Sequence, residues 1–68
     1  MTILFNIKNE EIKRNTEEAI DLISSMSLSR IEDEINKTEY LLSIEKDKDY
    51  ITAYSLYLKE LRTRKEDK

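Results

Sequence analysis

The sequence predicts an all-α protein, and three observations carry that expectation. It holds neither glycine nor proline in 68 residues, 40% of those residues are charged, and apolar side chains recur every three or four positions along three separate stretches. A strand-rich fold of this length needs several hairpins, whose two-residue turns lean on Gly, Asn-Gly or Asp-Gly, and none is present. The expected architecture is a small three-helix bundle, or a helical hairpin plus one helix, completed by dimerisation. So short a chain has a thin core and is read as a single domain.

Residues 1–8 form an N-terminal apolar arm in this reading. Ile3, Phe5 and Ile7 alternate with Thr2, Leu4 and Asn6 like a short strand, but a lone strand has no partner here. Packing across the bundle is the preferred placement, ahead of entry into the first helix or pairing with a second subunit. The first helix is expected over about residues 9–25, with Asn9 as N-cap and Glu10 and Glu11 in a first turn that favours negative charge. Ile12, Thr16, Ala19, Ile23 and Met26 then repeat at spacings of four and three, widened by Ile20, the signature of one core-facing stripe.

Four serines between Ser24 and Ser29 mark the first turn, because their hydroxyls compete with helix hydrogen bonding. The second helix is expected over about residues 28–45. Its cap is either Ser27, with Met26 stapling onto Ile31, or Ser29, which forms a capping box with Glu32. Leu28, Ile31, Ile35, Thr38 and Leu42 continue the stripe, and Tyr40, Leu41 and Ile44 broaden it. The polar Lys46-Asp47-Lys48-Asp49 is the second turn, either Asp47 or Asp49 being able to cap the next helix. That third helix is expected over about residues 49–64, before a frayed tail at 65–68. In it Ile51, Tyr54, Leu58 and Leu61 make a seam toward the core, leaving Tyr50, Ala53, Leu56 and Tyr57 outside. An apolar surface on more than one face asks for more than one neighbour, and tyrosine is a residue that interfaces favour.

The chain carries no Cys and no His, so disulfides are impossible and thiolate or imidazole catalysis has no residue to use. No cofactor and no metal is expected. Acidic neighbours such as Glu32, Asp33 and Glu34 diverge by about 100° each around a helix, which spreads them over solvent instead of one ion. Ser43 and Lys46 match the spacing of a Ser-x-x-Lys pair, a coincidence expected in a chain rich in both. The net charge of −3 divides unevenly, −5 over residues 1–49 and +2 over residues 50–68. Cations at the end of a last helix complement its dipole, and a pI near 4.9 is far from a nucleic-acid footprint. With no long apolar run and no signal-peptide pattern, a cytoplasmic location is expected. The abundance of Ile, Lys, Glu and Asn suits a low-GC bacterium, its phages or its plasmids.

The expected function is therefore a non-enzymatic protein–protein interaction module, a small regulator or inhibitor acting as a homodimer and binding another protein. Tyr40, Ile44, Tyr50, Tyr54, Leu56, Tyr57 and Leu61 are its candidate contact residues. The alternative is a small nucleic-acid-associated regulator using Lys59, Arg62, Arg64, Lys65 and Lys68, or an acidic DNA mimic.

Overall fold

A computed structural model describes residues 7–67, the side chain of Asp67 apart, and contains three helices with no strand among those residues. They are α1 (Glu10–Ile23), α2 (Leu28–Ile44) and α3 (Lys48–Asp67). The strand-like reading of Ile3 and Phe5 lies outside the described residues. Ile7 is inside them and is buried against Ile12 and Ala53.

Each helix start is capped by a side chain the sequence offers. Asn9 is extended (φ −79°, ψ 115°), and its carboxamide oxygen accepts from the amides of Glu11 and Ile12 at 3.0 and 3.2 Å. At α2 the cap is Ser27, whose hydroxyl accepts from Arg30 N at 3.2 Å. At α3 it is Asp47, whose carboxylate accepts from Asp49 N at 2.8 Å while its carbonyl takes Ile51 N. Asp49 is thereby released for a different task. Its two carboxylate oxygens accept from the amides of Lys8 and Asn9 at 3.3 and 3.0 Å, fastening the entry of α1 to the start of α3.

Both turns form without any positive φ among the described residues, so glycine is not needed. At the end of α1, Ser24 and Ser25 donate their hydroxyls to the carbonyls of Asp21 and Leu22, satisfying groups that a left-handed glycine would otherwise help to serve. After α2, Glu45 turns extended and its carboxylate accepts from Asp47 N at 3.2 Å.

α3 is the central element: α1 and α2 each pack on it more than on each other. The main core gathers at the Ser24–Ser27 turn end, from Ile23, Ile31, Ile35, Leu58 and Leu61, with Met26, Leu42 and Tyr57 packed around it. A second cluster of Ile7, Ile12 and Ala53 joins α1 to the first half of α3. Among the described residues three cross-helix pairs then tie α2 to α3. Tyr57 Oη donates to Glu34 at 3.2 Å, Arg62 lies 2.5 Å from Glu39, and Lys65 lies 3.7 Å from Glu32.

The single seam expected for α3 is corrected here. A helix that serves two neighbours buries a broad face, so Ala53, expected outside, is 5% exposed, whereas Ile51, expected inside, is 36% exposed. Ile51 lies one helical turn before exposed Ser55, on a flank of α3 away from Ala53. Leu28, first residue of α2, is likewise exposed. The tail expected to fray from residue 65 continues as helix to Asp67, with Lys65 held toward Glu32.

Candidate functional site

α1 and α2 share the main core at the turn that joins them but otherwise pack on α3 more than on each other, and a groove lies between them with α3 as its floor. Its volume is about 280 Å³. Ile12, Thr16 and Ala19 of α1 form one wall, Thr38 and Leu41 of α2 the other, and Tyr50, Tyr54 and Tyr57 with Ala53 the floor. The three tyrosines fall at i, i+4 and i+7, one stripe of α3. Asn15, Glu34 and Lys37 complete the lining.

The rings of Tyr50 and Tyr54 are stacked, their centroids 5.8 Å apart and their planes inclined by 29°. Tyr57 is anchored by its hydrogen bond to Glu34. Partial burial, reinforced by the Glu34 carboxylate, pushes its phenol up to about 12 from the ordinary 10.0. Tyr54 moves in the same direction, through burial first and then the charges of Glu45 and Tyr50. The two threonines of the walls differ. Thr16 donates its hydroxyl to Ile12 O at 2.7 Å, the usual helical back-bond. Thr38 is only 3% exposed, and its hydroxyl has no hydrogen-bond partner among the described residues.

Of the seven contact residues expected from sequence, Tyr50, Tyr54 and Tyr57 come together on this floor. Tyr40 and Ile44, 64% and 55% exposed, lie one helical turn apart on the flank of α2 next to Leu41 and extend the apolar surface past the rim. Leu61 is corrected: it is fully buried in the main core and offers nothing to a partner. Leu56, expected to face outward, is only partly exposed. It shares the flank of α3 that carries Ala53 and Glu60, the side turned to α1. The sequence pattern missed Ile12, Thr38 and Leu41 as groove residues, because their spacing reads as plain core stripe.

Elsewhere, Ser43 donates its hydroxyl to Tyr40 O at 2.6 Å. No three acidic side chains gather as a metal site among the described residues. No helix there is long and apolar enough to cross a membrane. Comparison with protein-family models, with curated proteins and with solved structures gave no match.

Proposed function

We propose that the protein is a non-enzymatic binding module, a small regulator or inhibitor that docks an apolar segment of another protein in the groove between α1 and α2. The observation that carries this is the tyrosine floor, a stripe of three rings lining the groove between α1 and α2 where a closed bundle would place packed aliphatic side chains. Tyrosine supplies large contact area at low entropy cost and keeps a polar tip, and such grooves suit an amphipathic helix or short apolar strip. Tyr40 and Ile44 prolong the surface on one side.

A homodimer is the second form of this reading. The exposed Tyr40–Ile44 pair is an apolar knob of the kind that the groove of a second copy accepts. The nucleic-acid alternative draws less support, since Arg62 and Lys65 of the basic segment already lie against Glu39 and Glu32.

Selection from a random peptide library on the immobilised protein tests the docking role. Enriched peptides should carry apolar residues at helical spacing and lose binding to Tyr54→Ala, a substitution at a partly exposed position that leaves the helical circular dichroism intact. Peptides that bind Tyr54→Ala as well as the parent would contradict a role for the groove.

A further inference from the structure

Resting on the docking role above, we propose that the groove is built for a cationic side chain, an arginine or lysine carried on an apolar segment of the partner. Its alkyl stem would lie on the tyrosine rings and its head would reach Glu34 and Thr38. Three independent features favour a cation. Tyr50, Tyr54 and Tyr57 line the floor, the first two stacked on each other, and aromatic rings attract a desolvated ammonium or guanidinium that reaches a face left uncovered. Glu34, half-buried in the wall, receives one bond from Tyr57 and a loose approach from Arg30 at 3.7 Å, leaving part of its roughly four lone-pair sites open. Thr38 carries a buried hydroxyl that has no hydrogen-bond partner among the described residues and can accept an N–H.

The competing charges are Lys37, which lines the groove but is exposed, and Arg30, whose side chain is 63% exposed beside Glu34. Against an anionic guest stands Glu34 in the lining, joined by Glu45, whose charge acts on Tyr54. A purely aliphatic guest would seal the Thr38 hydroxyl away without satisfying it.

Nuclear magnetic resonance titration of the whole chain with butylguanidinium, 1-butanol and pentanoate tests this, because the three probes share a butyl stem and differ in their heads. Butylguanidinium should shift Tyr50, Tyr54, Tyr57 and Thr38 with an affinity about tenfold above that of butanol, with pentanoate weakest. Glu34→Gln should bring the cation down to the level of butanol, and Lys37→Gln should strengthen it, each with helical circular dichroism unchanged. Equal binding of butylguanidinium and butanol, or insensitivity to Glu34→Gln, would overturn the cation preference and leave the apolar dock standing. No shift at the groove from any probe would overturn both.

Discussion

Truncating Leu61 to alanine removes three carbons from a site that is fully enclosed by Ile23, Ile31, Ile35 and Leu58. Transfer of those carbons to water costs about 2.4 kcal/mol at roughly 0.8 kcal/mol each, and the cavity left behind raises the total to about 3–5 kcal/mol. A domain of this size has about 3–10 kcal/mol in all, so Leu61→Ala should unfold a large fraction of the protein or bring it close to doing so. Ile51→Ala, on the same helix and in the seam that periodicity suggested, should cost only about 1 kcal/mol, because the residue is 36% exposed and belongs to neither buried cluster. Urea denaturation followed by far-ultraviolet circular dichroism measures both, with Ile35→Val as a milder core variant of about 1 kcal/mol in case Leu61→Ala fails to fold. Similar losses at positions 51 and 61 would refute the broad, two-sided face of α3 and restore the single seam.

Asp49→Ala should remove the two bonds that hold Lys8 and Asn9, costing about 1–2 kcal/mol and speeding hydrogen exchange at those two amides; unchanged exchange there would mean that the clasp is not formed. Tyr57 has a folded pKa raised from 10.0 to about 12, so the stabilisation tied to its neutral form is complete below pH 10 and is lost as pH rises through about 12. Stability should accordingly fall between pH 10 and 12, and the last phenol to ionise in an ultraviolet titration should disappear in Tyr57→Phe. Leu56→Glu places a charge on the flank of α3 that faces α1 and should lower the melting temperature of a single chain by itself; a variant with altered mass in sedimentation but unaltered melting would return Leu56 to an outward interface.

Much of the fold was legible in the sequence because its punctuation is chemical. Asn9, Ser27 and Asp47 cap helices through side-chain oxygens placed where the pattern put them, and the serine cluster ends α1 in the absence of glycine. The choice between Ser27 and Ser29 depended on the path of the turn, which local sequence does not encode. α3 was harder to read. Spacing identifies a stripe for a helix with one neighbour, whereas α3 has two, and its true face is centred between them. Ala53 is buried against Ile7 and Ile12 of the α1 side, and Ile51 is exposed because it falls on the flank that carries Ser55. The groove was visible as surplus aromatic surface, although the sequence could not show that this surplus lies inside the opening between α1 and α2 and not on an outer face of the bundle.

The central claim is that the tyrosine floor is where a partner docks. A photo-crosslinking residue placed at Tyr54, with the same residue at exposed Asn36 of α2 as control, tests it most directly in the cell that makes the protein. A discrete crosslinked species should form from position 54, be suppressed by Leu41→Asp on the opposite wall, and be absent from position 36. Crosslinking that is equal at the two positions, or indifferent to Leu41→Asp, would contradict the account.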